Sequence, residues 1–297
     1  MLCGLLLLDK PVGLSSNAAM QRVRRLYGGV KAGHTGSLDP LASGMLPICL
    51  GEATKLAGEV LVGDKAYRFR LQLGSRTATG DAEGEVVDRR PVPELTPAMI
   101  EAALAGRRGE SLQVPPMYSA LKHQGRPLYR LARQGASVER EPRRILVRRL
   151  ELLERGPEWL DVAVLCSKGT YVRVLGEDLA AALGTAGHLS ALRRDYVEPF
   201  QDRPMVSLTT LETLPEAERL AWVLPADAAV PQYHAVALDA AAATRLRHGQ
   251  AVRTDASGTS GRVRLYDASG VFMGLGERDA AGILRVRRLF AAANPGT

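Results

Sequence analysis

The sequence has few cysteines, few aromatic residues and no long hydrophobic run. Its 297 residues include three cysteines, Cys3, Cys49 and Cys166, which are odd in number and far apart. They exclude a small scaffold held together by disulfides. Aromatic residues make up 5% of the chain, whereas apolar residues in total make up 46% and charged residues 24%. The last two values are typical of a globular protein and exclude a disordered chain, a collagen or a heptad rod.

The apolar stretches are too short to cross a bilayer. The N-terminal run Gly4–Leu8 is cut off at once by Asp9, Lys10 and Pro11. This run lacks the basic n-region and the full hydrophobic region of a signal peptide. We therefore interpret it as a buried strand and expect a cytoplasmic protein.

Lysine is scarce relative to arginine. The chain has 33 arginines and 6 lysines against 32 acidic residues, which gives a formal net charge of +7. A guanidinium group is planar, presents forked donors and stacks on bases, so it suits RNA and phosphate better than an ammonium group does. A GC-biased genome also produces an arginine-rich protein, so the ratio favours a nucleic-acid partner without establishing one.

Local patterns predict helices and strands in irregular alternation. Ser15 or Ser16 is placed to cap a helix that runs to about Tyr27, and strict alternation predicts a half-buried strand over Tyr67–Leu73. The other elements predicted before residue 200 are a short helix from Glu52, a strand at Glu85–Asp88 paired with Tyr67–Leu73, a helix from Thr96 to about Arg107, strands at Ile145–Leu153, Leu160–Ser167 and Tyr171–Leu175, and a helix at Gly176–Leu183.

Two segments differ from the rest of the chain in their content of proline and basic residues. Residues 113–144 hold four prolines and many basic residues, which predicts an inserted arm with a short helix near Leu128–Arg133. After about Gln201, a connector that contains several prolines leads to a small β-rich C-terminal domain. The elements predicted in that domain are a helix at Leu238–Arg247 and strands near Val263–Tyr266, Val271–Gly276 and Leu284–Leu289.

Residues 31–51 contain four glycines and are interpreted as a loop. Pro40 disfavours the helical region for Asp39, so the loop displays one carboxylate, with no acidic residue within five positions on either side. Such a carboxylate could be a nucleophile, a base or a metal ligand, or it could form an Asx-turn before the proline. The phosphate-binding Walker pattern is absent, and no third metal ligand accompanies His34 and Asp39 at a recognisable spacing.

Tyr67 and Arg173 also allow two interpretations. Tyr67 lies on the apolar face of its predicted strand, where an aromatic ring is more often part of the core. Arg173 follows an apolar strand and could lie at the surface. If it enters an apolar cleft, its charge needs an anion, which Asp39 could supply.

Five separated segments resemble, in order, motifs of the TruB family of tRNA pseudouridine synthases, which isomerise uridine 55 in the tRNA T-loop. These segments are LDKPVGLSS at 8–16, the glycine-containing stretch 33–55, Tyr67, PPMYSALK at 115–122 and SKGTYVR at 167–173. The similarity extends over about residues 4–200. It favours a functional role for Asp39 over the Asx-turn.

The resemblance implies a role for each matching residue. Asp39 corresponds to the catalytic aspartate and nucleophile, Tyr67 to a tyrosine that stacks on the target base and is a candidate for proton transfer, and Arg173 to the arginine that pairs with the aspartate. We expect Arg173 to keep the pKa of Asp39 low. Several residues are expected to bind the substrate. His34 would lie near the flipped nucleotide, Leu192 would form part of the apolar wall of the base pocket, and Lys10 with Pro11 would support the active-site loop. The other residues expected to bind are Tyr171 and, in the arm, Arg126, Arg130 and Arg143, with Arg133 and Arg144 beside them.

The resemblance also implies an architecture. The expected fold class is α+β, with a central mixed, mostly antiparallel sheet flanked by helices and a thumb arm at about 113–144. The catalytic domain would span 1–230, and a small PUA-like RNA-binding domain would span 231–297. The expected partner is tRNA, bound through the T-loop and T-stem. No cofactor or metal, no membrane and no obligatory protein partner is expected, and a monomer suffices.

Two other functions remain open at the level of sequence. The chain could be an RNA-binding module or tRNA-folding chaperone in which catalysis is secondary, although a pure binder has no need for Asp39. It could also be a guide-RNA-dependent relative that acts on ribosomal RNA. The chain lacks the long lysine-rich tails that we would expect of such a relative from eukaryotes.

Overall fold

The computed structural model of the protein describes residues 2–254 and 259–291. Its strands, in chain order, are β1 (Gly4–Lys10), β2 (Ala32–His34), β3 (Ala42–Leu50), β4 (Lys65–Leu73), β5 (Ser75–Thr77), β6 (Val86–Arg89), β7 (Gly109–Gln113), β8 (Lys122–His123), β9 (Arg126–Pro127), β10 (Arg143–Arg155), β11 (Trp159–Cys166), β12 (Gly187–Val197), β13 (Val206–Ser207), β14 (Val223–Leu224), β15 (His234–Ala237), β16 (Val252–Arg253), β17 (Gly261–Tyr266), β18 (Phe272–Arg278) and β19 (Ile283–Leu289).

The helices lie between these strands. They are α1 (Ser16–Leu26), α2 (Ala57–Leu61), α3 (Pro97–Ala105), α4 (Leu128–Ala132), α5 (Val172–Ala182), α6 (Leu208–Thr213), α7 (Glu216–Leu220) and α8 (Ala240–Arg247), with 3₁₀ helices at Gly51–Leu56 and Ala226–Ala229. Within the described ranges, none of the helices is long and apolar enough to span a membrane.

The larger sheet has the strand order β13-β1-β3-β12-β4-β11-β10-β7, with β14 paired to β1 and β2 paired to β3. Two pairings along this order are parallel, β13 with β1 and β3 with β12, and the others are antiparallel. Helices flank the sheet. The expected mixed, mostly antiparallel α+β fold is therefore confirmed.

Side-chain alternation along the strands divides the core into layers. On β4, Tyr67, Phe69 and Leu71 face a cluster that includes residues of α3 and α5. On β1, Leu6 and Leu8 pack against α1, whereas Leu5 and Leu7 face the opposite side. The Asp39 loop and the start of α5 lie on the side of the sheet that carries α1, α3 and α5.

Most of the elements predicted from local patterns are present. Helix α1 begins after Ser15, whose side chain accepts a hydrogen bond from the Ala18 N–H. Helix α3 is capped in the same way by Thr96. Strand β10 covers the predicted strand at Ile145–Leu153, and β11 covers all of Leu160–Ser167 except its last residue. The short helix near residue 128 and the predicted C-terminal elements are also found.

The interpretation of 31–51 as a loop is wrong, because the segment contains β2 and β3. Strand β3 includes Pro47, although proline cannot donate to a ladder. In the structure the Pro47 carbonyl accepts the Thr35 N–H at 3.0 Å, so the missing donor of Pro47 faces away from β1. Strand β3 requires glycine at position 44, because φ there is +101° and a Cβ would lie 2.1 Å from the Arg194 carbonyl oxygen.

The predicted strand at Tyr171–Leu175 is also wrong. Helix α5 begins at Val172 and continues to Ala182. Valine is common in strands, but tertiary packing decides here. The buried positions Val172, Leu175, Gly176, Leu179 and Ala180 repeat with helical spacing and pack on the sheet.

Two further differences concern strand pairing. The predicted strand at 85–88 is β6, but it pairs with β5 rather than with β4. Both edges of β4 are already occupied, by β11 and β12. The central strand β12 was not predicted, because its polar residues Arg193, Arg194 and Asp195 obscure the alternation.

The second sheet, β15-β17-β18-β19-β16, packs against the 3₁₀ helix at Gly51–Leu56 and α2. Phe272 and Phe290 join the apolar cluster that contains Leu5, and Glu59 accepts hydrogen bonds from Arg262 and Tyr233. The β-rich C-terminal part is thus present as expected. The boundary at residues 230 and 231 remains a prediction.

Candidate active site

Asp39 lies on the loop between β2 and β3, and neighbouring segments hold this loop in place. The Ser16 hydroxyl, at the start of α1, accepts the Leu38 N–H at 2.7 Å and donates to the Leu38 carbonyl at 2.9 Å. The Gly13 N–H donates to the Pro40 carbonyl at 2.8 Å, and the Ala42 N–H closes a turn on the Asp39 carbonyl at 3.0 Å. The carboxylate is therefore carried by a fixed turn.

Arg173, at the start of α5, reaches the same point from the other side of the cleft. Its Nε lies 2.9 Å from Asp39 Oδ2. The Arg173 side chain is 5% exposed, whereas the Asp39 side chain is 39% exposed. The cation is thus buried behind a carboxylate that solvent can still reach.

The rest of the Arg173 guanidinium is held by two other segments. Its two terminal nitrogens donate to the Thr79 carbonyl at 2.6 Å and to the Tyr118 carbonyl at 2.7 Å. Asp81 Oδ2 lies 3.7 Å from Nε. These contacts fix the plane of the guanidinium, so it meets Asp39 in one orientation.

Asp81 is a buried member of this site that sequence reasoning missed. Its Oδ1 accepts hydrogen bonds from the Thr79 hydroxyl at 2.6 Å and the Glu83 N–H at 3.1 Å. Its loop is fixed to β12, because Leu189 and the loop exchange two backbone hydrogen bonds. The alternation of glycine and acidic residues in Thr79–Gly84 was the feature of the sequence that could have pointed to Asp81.

The charges around Asp39 act in opposite directions on its pKa. Burial raises the pKa of Asp39 above its ordinary value and is the largest effect. Arg173 and Lys10 lower it, whereas the neighbouring charge of Asp81 raises it. The expected low pKa of Asp39 is therefore wrong, because the net shift of this pKa is upward. Arg173 acts as expected, but desolvation outweighs it.

Tyr67 on β4 and Leu192 on the neighbouring strand β12 lie near this pair. Both side chains are 8% exposed and share an apolar cluster with Leu38 and Ala42. Leu192 is paired with Ala42 on β3 and with Phe69 on β4. Burial raises the pKa of Tyr67, so its hydroxyl stays protonated at neutral pH.

Two buried cations, Lys10 and Arg194, hold the backbone around the Asp39 loop. The Lys10 side chain donates to the carbonyls of Pro11 and Leu14 at 2.9 and 2.6 Å, which shapes the β1–α1 connection that holds the loop. Burial lowers the pKa of Lys10 to about 8. Arg194, which sequence reasoning did not single out, is 1% exposed and donates to the carbonyls of Met45 and Gly36.

His34 and Tyr171 are half-buried. His34 ends β2, and its Nδ1 is buried without a hydrogen-bond partner among residues 2–254 and 259–291. Burial lowers the pKa of His34, so the ring is neutral at neutral pH. Tyr171 immediately precedes α5, and burial raises the pKa of its hydroxyl.

The arm residues predicted to bind RNA are exposed. Arg126 donates to the side chain of Gln134 at 2.9 Å, and Arg130 lies one residue after Tyr129 on α4. Arg143 starts β10 at the base of the arm, where its charge affects the pKa of Tyr171. The structure thus brings Asp39, Arg173 and Lys10 together and leaves Arg126 and Arg130 on the outer surface of the arm.

Two surface cavities lie away from this site. One, of about 420 Å³, is bordered by Gln72, Arg90 and Glu158, and the other, of about 400 Å³, by Tyr27, Lys31 and Glu52. Among the residues with described positions, no group of three or more His, Cys, Asp or Glu side chains is arranged to hold a metal ion.

Comparison with known families covers most of the chain. Residues 24–172 match the model described as TruB family pseudouridylate synthase (N terminal domain). Residues 173–231 match tRNA pseudouridylate synthase B C-terminal domain, and residues 235–290 match Pseudouridine synthase II TruB, C-terminal.

Individual relatives extend this similarity. The tRNA pseudouridine synthase B of Methylobacillus flagellatus is 48% identical over 290 residues, which cover 98% of this chain and 96% of that protein. The protein of the same name from Chromohalobacter salexigens is 50% identical over 294 residues, covering 98% and 95%.

Solved structures share the fold at lower identity. A Cbf5-Nop10-Gar1 complex matches with a TM-score of 0.69 and 24% identity, covering 94% of this chain and 79% of the matched chain. An H/ACA RNP bound to a substrate RNA containing 2'-deoxyuridine matches with a TM-score of 0.71 and 23% identity, covering 97% and 85%.

Removal of the buried cation should destabilise the protein in a pH-dependent way. Arg173→Met leaves Asp39 facing Asp81, and we expect the free energy of unfolding at neutral pH to fall by about 3 kcal/mol, the low end for a broken buried pair because Asp39 is partly exposed. The substitution raises the folded-state pKa of Asp39 further. The deficit should therefore shrink as the pH falls through that pKa and protonation removes the charge.

Urea unfolding of the variant and the wild type, at neutral and mildly acidic pH, measures this deficit. The control is Arg68→Met, which breaks a pair with Asp195 in which Arg68 is 57% exposed. The control should lose only about 0–1 kcal/mol, with little dependence on pH. Equal losses in the two variants would contradict the assignment of a buried, strongly coupled pair.

Proposed function

Because the chain belongs to the TruB family of pseudouridylate synthases, we propose that it isomerises uridine to pseudouridine in tRNA, at position 55 of the T-loop. The observation that carries this proposal is the pair of Asp39 and Arg173, with Nε and Oδ2 2.9 Å apart. The two residues come from segments 134 positions apart in the chain, which meet only in the folded state. The carboxylate that they present is partly open to solvent, and thus to a substrate.

The reaction needs a nucleotide outside its stack, because the sugar–base bond is out of reach inside a folded T-loop. An everted base is held by stacking on an aromatic ring and by apolar walls. Tyr67 and Leu192, in the same apolar cluster as Leu38, offer such surfaces beside the Asp39 loop. We assign Tyr67 to stacking and proton transfer and Leu192 to the wall of the base pocket.

Asp39 is the nucleophile in this account. The N-glycosidic bond between C1′ and N1 breaks, the uracil turns, a C1′–C5 bond forms, and the proton at C5 is lost while N1 gains one. Attack at C1′ and attack at C6 of the base both begin from an ionised carboxylate. Arg173 favours that form and fixes its direction, whereas burial and Asp81 keep the carboxylate basic and reactive.

The remaining predicted residues are assigned to binding. His34 has a buried ring nitrogen without a partner in the described part of the chain, which suits a contact to RNA near the everted nucleotide. Lys10 acts through the β1–α1 connection that holds the Asp39 loop, and Tyr171 through the start of α5. Arg126, Arg130 and Arg143 of the arm meet phosphates, which position the RNA without reading its sequence.

We also assign the catalytic domain to 1–230 and a PUA-like RNA-binding domain to 231–297, and we expect the chain to act in the cytoplasm as a monomer without a protein partner. The second sheet supports the domain assignment, because its strands pair with one another rather than with the larger sheet.

Replacement of the nucleophile should abolish the reaction and leave binding intact. Asp39→Asn keeps the size of the side chain and removes its charge, so pseudouridine should no longer form in a T-loop hairpin incubated with the isolated protein. The dissociation constant for the hairpin should stay close to that of the wild type, because the arm is unchanged. Mass spectrometry of the RNA and a filter-binding assay measure the two quantities.

The matched control is Asp195→Asn, which alters a carboxylate paired with Arg68 on the opposite face of the sheet. It should retain wild-type activity. Turnover by Asp39→Asn would exclude Asp39 as the nucleophile. A requirement for an added guide RNA or protein would contradict the proposal that the chain acts alone.

Loss of arm charges should weaken binding more than chemistry. The double variant Arg126→Ala with Arg130→Ala removes two phosphate contacts, so the dissociation constant should rise and its logarithm should depend less steeply on salt, by a slope change of about 1–2. The rate at saturating RNA should be nearly unchanged. A binding titration over a salt series tests this, and an unchanged salt slope would show that these arginines do not meet phosphate.

A further inference from the structure

Gln113 occupies a junction that the reaction described above does not use. It is the last residue of β7, where the chain leaves the sheet to form the arm, and it is paired with Arg143, where the chain returns. Its side chain points inward, and the residue is 5% exposed. A glutamine this deeply buried needs partners for both ends of its carboxamide.

Both ends are satisfied by the backbone of one residue, Tyr171. Gln113 Nε2 donates to the Tyr171 carbonyl at 3.1 Å, and Gln113 Oε1 accepts the Tyr171 N–H at 2.8 Å. This two-point contact sets the position and the direction of the backbone entering α5. Among the described residues, α5 has no side-chain capping hydrogen bond from Tyr171, and the two Gln113 hydrogen bonds hold the backbone of the residue that precedes the helix.

Arg173 follows two residues later, and it contacts the same part of the arm. Its guanidinium donates to the carbonyl of Tyr118, which lies five residues after Gln113. The first residues of the arm therefore contact residues 171–173 at two places, the backbone of Tyr171 and the guanidinium of Arg173. A displacement of the arm base must move Arg173 relative to Asp39, whose loop is held separately by Ser16 and Gly13.

We propose that Gln113 is a positioning residue for pseudouridine formation, which couples the attachment of the RNA-gripping arm to the alignment of Arg173 with Asp39. The inference rests on the proposed function. It assigns Gln113 to the rate of the chemical step rather than to RNA affinity, because the residue is buried and its polar atoms are directed at Tyr171. Small errors in the placement of a catalytic group lower the rate strongly.

Gln113→Met tests the proposal, because methionine is unbranched, fills a similar volume and removes both hydrogen bonds. The single-turnover rate of pseudouridine formation at saturating T-loop hairpin should fall by about tenfold or more, while the dissociation constant for the hairpin stays close to the wild-type value. The control is Gln72→Met, on β4, where the glutamine likewise donates to a backbone carbonyl, that of Glu158 at 2.9 Å. This control should keep the wild-type rate.

A second variant separates positioning from general loss of structure. Gln113→Glu retains an acceptor for the Tyr171 N–H but turns a carboxylate oxygen towards the Tyr171 carbonyl, so its saturating rate should also lie below that of the wild type, with the dissociation constant unchanged. Thermal unfolding of all variants monitors the fold. If Gln113→Met is too unstable to assay, the rate of Gln113→Glu relative to Gln72→Met decides.

Each outcome has one meaning. A lowered saturating rate with unchanged affinity supports the proposal. A wild-type rate in Gln113→Met, or a loss confined to affinity, overturns it. If the wild-type protein and Gln72→Met form no pseudouridine, the proposed function fails instead, and the two failures are thereby distinguished.

Discussion

The guanidinium of Arg173 is buried, and this single constraint organises the centre of the molecule. A charge removed from water costs several kcal/mol unless it is paired and hydrogen-bonded. Arg173 meets this requirement with two carboxylates and two backbone carbonyls from three different segments: the loop of Asp39, the loop that carries Thr79 and Asp81, and the base of the arm at Tyr118. The residue therefore links the parts of the site that must act together.

The larger sheet makes this convergence possible. Parallel pairing of β3 with β12 places the end of the Asp39 loop beside Leu192, and antiparallel pairing of β12 with β4 places Tyr67 on the same side. Gly44 permits the close approach of β3 to Arg194, where a side chain would collide with the backbone. The same few strands thus set both the position of the Asp39 carboxylate and the apolar surfaces beside it.

Local signals in the sequence predicted much of the fold. The caps at Ser15 and Thr96 and the alternation in Tyr67–Leu73 marked α1, α3 and β4, and the family resemblance identified Asp39, Tyr67 and Arg173. Non-local effects were missed. Strand β3 was obscured by Pro47, whose tolerance depends on which side its peptide groups face. Helix α5 was read in part as a strand, and Asp81 and Gln113 gained their importance only from contacts with Arg173 and Tyr171, which sequence spacing does not reveal.

The dependence of the saturating rate on pH tests most directly whether an ionised Asp39, held among Arg173, Lys10, Asp81 and Glu83, carries the reaction. The rate should fall on the acid side with a midpoint above 3.8, the ordinary pKa of an aspartate, because burial raises the pKa of Asp39. In Asp81→Asn the midpoint should move to lower pH, because a neighbouring negative charge that raises the pKa of Asp39 has been removed. A rate without an acid limb, or a limb that stays in place or moves to higher pH in Asp81→Asn, would contradict the account.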